Sequence, residues 1–316
     1  MLKVCSFLPA VTQMLYDMGL DNHLFGVTFE CPEQALREKQ PVVRCILEGK
    51  DLSSKEIDAL FSASKHQGKD LYYVDGPILE EIAPDIIFTQ DMCDICQIDT
   101  ACTAAAVSKL DKQPELISIS PESLEDVFES AVTIARALGK EEVAYTYLDA
   151  LRKRLDIVVD KLRIAKAPPK RVMLLEWLDP IFNCGHWIPH QIGLAGGIDM
   201  LSNPSGDSIV TQWDKIIRYN PEILVIAPCG FTVERTLKEL HLLGTKKDWD
   251  SLRAVQENRV YLADFDLFTQ SSANTLVNGI ELLAGIFHPE AVAIPEHLKR
   301  KYRHVDGHFA TIGYRK

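Results

Sequence analysis

Short apolar runs alternate with helically spaced segments along most of the chain. "LKVCSFL" reads as a strand, and "PAVTQMLYDMGL" continues with helical spacing and a glycine stop. "HLFGVTF" predicts the next strand. "SSKEIDALFSASKHQ" predicts a helix capped by Ser53 and Ser54 ahead of Glu56. "DLYYVD", "PDIIFTQ" and "ELISIS" read as further strands, with "GPILEEIA" as a short helix among them. Strands alternating with helices predict an α/β layer with a mostly parallel sheet.

From Pro121 the pattern changes to a long helical periodicity, punctuated once at Gly139 and running to about Ala165. Ser120 is placed to cap it, with Pro121 at the first helical position. A spine helix between two lobes fits better than a coiled coil, because strict heptads are missing. A packed spine helix also implies a small hinge motion. After Pro168 and Pro169 the α/β rhythm returns. "RVMLLEW", "PEILVIAP" and "NRVYLADF" predict strands; "IPHQIGLAGGIDML", "TQWDKIIRY", "ERTLKELHLL" and "SANTLVNGIELLAGIFHPE" predict helices. The expected fold is therefore α/β, with two Rossmann-like lobes joined by one long helix. An N-terminal lobe spans residues 1–120, the spine 121–166, a C-terminal lobe 167–292, and a loosely packed polar tail 293–316.

One unit occurs twice. "APDIIFTQ" and "NPEILVIAP" are each a turn followed by an apolar strand, and the loops beyond hold Cys93 and Cys229. Ligands of open α/β sheets bind beyond the carboxyl ends of strands. Two such ends, one per lobe, predict a cleft between the lobes.

Composition narrows the function. The 316 residues carry a net charge of -11, which disfavours nucleic acid and anionic membrane surfaces. No stretch approaches the ~18 apolar residues of a membrane span, and the N-terminus lacks the pattern of a secretory signal. A cytosolic location is expected on that reading, or a periplasmic or cell-surface one had a leader been removed. In the cytosol a C-x-x-C such as Cys93/Cys96 is more often metal-binding or catalytic than disulfide-bonded.

Three segments could carry a site. Cys93 and Cys96 can direct two thiolates at one soft metal such as zinc or at an iron–sulfur cluster, with Cys31 as a third and Cys45 and Cys102 as further candidates, and a redox dithiol is the second option. Buried free thiols acting as small hydrophobes are the plain alternative. "LEWLDPIFNCGHW" places Trp177 and Trp187 around Asp179, Cys184 and His186, a composition suited to a flat ring ligand or to a packed loop closing the sheet. "FDLFTQSSAN" brings Phe268, Ser271 and Ser272 to the start of the last helix, where a simple serine cap is the plain reading. No G-x-S-x-G, Walker A, G-x-G-x-x-G or H-E-x-x-H motif is present, and no enzyme is expected.

Across about residues 1–292 the chain resembles the helical-spine class of substrate-binding proteins of ABC transporters (class III periplasmic-binding-protein-like), which captures cobalamin, haem and iron–siderophores. "SFLPAVTQMLYDMGLDNHLFGVT", "LEEIAPDIIFTQ", "HQIGLAGGIDML" and "IIRYNPEILVIAP" carry the resemblance. "FEC", "TQDMCDIC" and "EWLDPIFNCGHW" are similar to segments of a signal-less subgroup labelled cobalamin-binding. Phe29 stands where that subgroup tends to have His, and "LFTQSSANTLVNG" replaces an Arg- and Gly-Pro-bearing turn. The resemblance implies a cleft lined by Pro9, Phe29, Glu30, Gln90, Asp91, Trp177, Asp179, His186, Trp187, Cys229, Phe268 and Ser271. It also implies a corrinoid-like or other metal-containing ligand and an ABC permease as partner. A cytosolic metalloprotein or enzyme using Cys31, Cys93 and Cys96, and an inactive scaffold, are the competing readings.

Overall fold

The computed structural model describes residues 1–67, 71–90 and 100–307. The N-terminal lobe holds β1 (Val4–Ser6), β2 (Leu24–Thr28), β3 (Gln40–Cys45), β4 (Tyr72–Val74), β5 (Ile86–Thr89) and β6 (Glu115–Ser118). They pair in the order β4-β3-β2-β1-β5-β6, all parallel except β3 with β4. The C-terminal lobe holds β7 (Lys170–Leu175), a hairpin of β8 (Trp177–Leu178) and β9 (Ile181–Phe182), then β10 (Gly197–Ile198), β11 (Ile223–Ile226), β12 (Val260–Ala263) and β13 (Tyr302–Val305). Its main sheet runs β10-β7-β11-β12-β13, parallel apart from β13.

The central strands β5 and β11 are buried at every residue. Such continuous apolar runs mark parallel strands covered on both faces by helices. In each lobe the strand order reverses beside one strand pair, β1/β5 and β7/β11. The carboxyl ends of those pairs are where ligands of such sheets bind.

Several expectations needed correction. Residues 121–166 form two helices, Leu124–Ala137 and Glu141–Ile164. Gly139 takes φ +66 between them, a conformation that ends a helix. The first of the two is capped by Ser123 in a capping box with Asp126, not by Ser120 and Pro121. The polar tail is not loose up to Gly307: β13 completes the sheet edge and the Trp249 indole donates to the Gly307 carbonyl at 2.7 Å. β3 was not read from the sequence. The predicted box of Ser53 with Glu56 does form, at 2.8 and 3.3 Å.

The largest hydrophobic cluster crosses between lobes. It joins Val4, Leu15 and Phe88 to Leu148 on the spine helix Glu141–Ile164 and to Val225, Phe268 and Ile280. The lobes thus share a core along the spine. Separate clusters fill the outer layer of each lobe.

Candidate functional site

The N-terminal wall comes from the ends of β1, β2 and β5. Pro9, in the loop after β1, opens the helix Pro9–Asp17 and is buried. Gln90, just past β5, is 6% exposed. Phe29 follows β2, half-buried, with its ring 6.2 Å from that of Tyr72. Glu30 is exposed, yet desolvation by the protein around it, with a smaller push from Glu48, raises its carboxyl to about 8. Asp91, Cys93 and Cys96 lie outside the described residues.

Cys31 is buried in the shared core, its thiol 3.2 Å from the Thr12 hydroxyl, and burial pushes its pKa up to about 11. It is a protonated, packed thiol, as is Cys45 in its own cluster. This placement suits the small-hydrophobe reading better than a third thiolate. Among the described residues no group of three or more His, Cys, Asp or Glu could hold a metal ion.

The C-terminal wall begins where β7 ends. Trp177 opens the β8–β9 hairpin and is half-buried, with its ring 5.1 Å from that of Phe231 and its buried Nε1 without a partner among the described residues. The Arg235 guanidinium lies 4.2 Å from the Phe231 ring centroid. Asp179, also half-buried, raises the pKa of Asp58 in the facing N-terminal lobe, second to desolvation. Cys229, just past β11, is half-buried and its amide donates to the Glu176 carbonyl at 2.9 Å.

Behind this wall sits buried acid. Glu176 accepts from the Gly185 amide at 3.2 Å and from the Ser208 hydroxyl, and burial raises it to about 7. Asp199, half-buried, is raised by desolvation to about 6 and lies 3.8 Å from the Cys184 thiol. The Gly185 loop approaches Gly206–Ser208 so closely that a Cβ at Gly185 would strike their backbone.

Two of the expected ligand residues are core pillars. Trp187 is 4% exposed and its Nε1 donates to the Phe268 carbonyl at 2.5 Å; Phe268 itself is fully buried. The two indoles of one loop therefore separate, with Trp177 at the wall and Trp187 in the shared core. His186 is half-buried with φ +51, its ring 5.5 Å from Trp187 and its Nε2 4.0 Å from Asp207. Burial lowers its pKa, partly opposed by Asp207, so it is neutral at pH 7. Ser271 is half-buried ahead of the helix Ala273–Phe287. Ser272 holds the cap position but makes no side-chain cap bond, so the simple serine-cap reading also fails.

Phe231, Arg235 and Glu239 were not anticipated. The last two look in sequence like an ordinary i, i+4 ion pair on a solvated helix face.

A family model described as periplasmic binding protein matches residues 78–267. An uncharacterized ABC transporter substrate-binding lipoprotein, YvrC of Bacillus subtilis (strain 168), is 21% identical over 294 residues, covering 91% of this chain and 80% of that one. The periplasmic heme binding protein of Pseudomonas aeruginosa superposes with a TM-score of 0.64 at 16% identity, over 92% of this chain and 93% of that one. The periplasmic vitamin B12 binding protein BtuF of Vibrio cholerae superposes at 0.60, also 16% identical, over 91% and 96%. The two solved structures share the two-lobed fold, and no described helix is long and apolar enough to cross a membrane. The family match covers well over half the chain, and the chain belongs to the periplasmic binding protein family, the substrate-binding and non-enzymatic components of ABC transporters.

Proposed function

We propose that the protein captures a flat, metal-bearing ligand of the corrinoid or haem kind between its lobes and delivers it to an ABC permease. The observation that carries this reading is Trp177. It is a half-exposed indole at the carboxyl end of β7, backed by Phe231. Phe29 and Gln90 come from the corresponding strand ends of the other lobe. Flat ring systems gain most from such aromatic walls with few polar handles. Two structural relatives are named for heme and vitamin B12 binding, which supports the ligand class. The relative YvrC is named a lipoprotein, which favours an extracytoplasmic or surface location over the cytosolic one expected from the N-terminus.

The three-thiolate reading has weaker support, because Cys31 is buried and protonated beside Thr12. Metal content and the absorption spectrum of anaerobically purified protein test it, and bound iron or zinc there would revive it. Calorimetric titration with cobalamin and with haem tests the main reading. Saturable binding of either supports it. Heat of dilution alone for both would remove it.

A further inference from the structure

One helix, Ser54–Gln67, is rooted in one lobe and bound at its tip to the other, beside the β8 strand that follows β7. At the root, the Phe61 ring lies 6.2 Å from Tyr72, which in turn lies 6.2 Å from Phe29. At the tip, the Ser54 amide donates to both carboxylate oxygens of Glu239, each at 3.0 Å. Glu239 ends the helix Val233–Glu239 of the C-terminal lobe. Arg235 on that helix pairs with Glu239 and donates to the Leu52 carbonyl at 2.6 Å. Lys238 and Asp51 add an exposed pair at 3.7 Å.

The contact is protected rather than superficial. Ser54 is 0% exposed and Glu239 6%. A carboxylate at a helix N-terminus meets unpaired amides and the positive end of the helix dipole. Arg235 adds a charge-assisted bond from the other side. These hydrogen bonds hold the Glu239 carboxyl below its usual range despite burial.

The same elements reach both candidate walls. Arg235 lies over Phe231, and Phe231 packs on Trp177. That helix also packs against β8, where Trp177 resides, and its Asp58 senses Asp179. Moving the helix tip therefore disturbs the Trp177 wall directly and the Phe29 wall through Tyr72 and Phe61.

We propose that Arg235 and Glu239 form a latch holding the helix Ser54–Gln67 across the cleft mouth, and that ligand exchange requires its release. The gating role rests on the ligand-capture reading; the contact itself does not. The mouth helix is thus the mobile door, with the spine helix as the hinge post.

Hydrogen exchange of the full, ligand-free chain tests the contact. Glu239→Ala and Arg235→Met are compared with Glu257→Gln, which breaks the exposed Arg253–Glu257 pair of the same lobe. Amides of the first turn from Ser54 exchange about tenfold faster or more in both latch variants, and unchanged in the control. Unchanged exchange in both latch variants, with near-ultraviolet circular dichroism intact, overturns the latch. Stopped-flow binding of cobalamin and haem tests the gate: the latch variants bind several-fold faster than the parent. A loosened helix with an unaltered association rate refutes gating. If the parent binds neither probe, the ligand reading fails while the exchange result still decides the latch.

Discussion

The lobes meet along two sides of the molecule, and the two meetings are built differently. On the spine side Arg154 donates to both carboxylate oxygens of Glu281, at 3.0 and 2.7 Å, and to Asn274 and Asn278 at 2.7 and 2.6 Å. Tyr147 donates to Asp17 at 3.2 Å and accepts from the Asn274 amide at 3.0 Å. Beneath this polar node runs the hydrophobic core common to both lobes. At the mouth the tie is polar: Arg235 and Glu239 grip the backbone at Leu52 and Ser54. A polar tie can be exchanged for water at small net cost, whereas a shared apolar core cannot. The spine side fixes the lobes together, and the mouth side can open.

Substitutions rank the two sides. Trp187→Ala removes a pillar of the shared core and the bond to Phe268, and should cost about 3–5 kcal/mol in urea unfolding. Arg154→Met strands the Glu281 carboxylate and should cost about 2 kcal/mol, less than a fully buried pair because Arg154 is 29% exposed. Glu239→Ala should cost about 1 kcal/mol although its pair with Arg235 is only 21% and 8% exposed, because release of the helix tip lets water reach the lost partners. A mouth variant more damaging than Arg154→Met would invert the comparison.

A pH experiment sharpens it on the mouth side. Burial lifts Glu176 from 4.5 to about 7 in the folded chain. Folding then binds a proton more tightly, so this group's contribution is fully present below pH 4.5 and is lost as pH rises through about 7. Glu176→Gln should remove roughly 1–3 kcal/mol of pH-dependent stability between those limits. A variant whose stability falls as steeply as the parent's across that window would show that Glu176 ionises normally.

The sequence was most informative where one segment decides its own structure. The buried runs of β5, β7 and β11 have no polar interruption, so their periodicity and their parallel setting could be read directly. β3 was hidden by Pro41, which cannot donate to a ladder; the β2–β3 register shifts between Val27 and Thr28, beside that proline's partner. β13 was hidden because its "YRHV" sets two exposed residues between two half-buried ones, with no apolar run. The punctuation at Gly139 was legible in 121–166, but not that this residue, in the left-handed region, divides the segment into two helices.

Site residues were harder to read, because burial is a property of partners. Trp177 and Trp187 sit ten residues apart in one loop and look alike, yet Phe268, over eighty positions away, claims one of them. Cys31 looked like a ligand for the Cys93/Cys96 pair; Thr12 and the core around it make it a packed thiol. Glu239 finds its partner 185 residues away, a distance no local pattern reports.

The central claim is that Trp177 lines the ligand cleft while Trp187 supports the core. Cobalamin and haem titrated into the reduced full chain, followed by calorimetry in parent, Trp177→Ala and Trp187→Phe, test it most directly. Tenfold or greater weakening in Trp177→Ala with its stability kept, and near-parent affinity in Trp187→Phe with its stability lowered, is the predicted result. Parent-like affinity in Trp177→Ala for a ligand that the parent binds would contradict it.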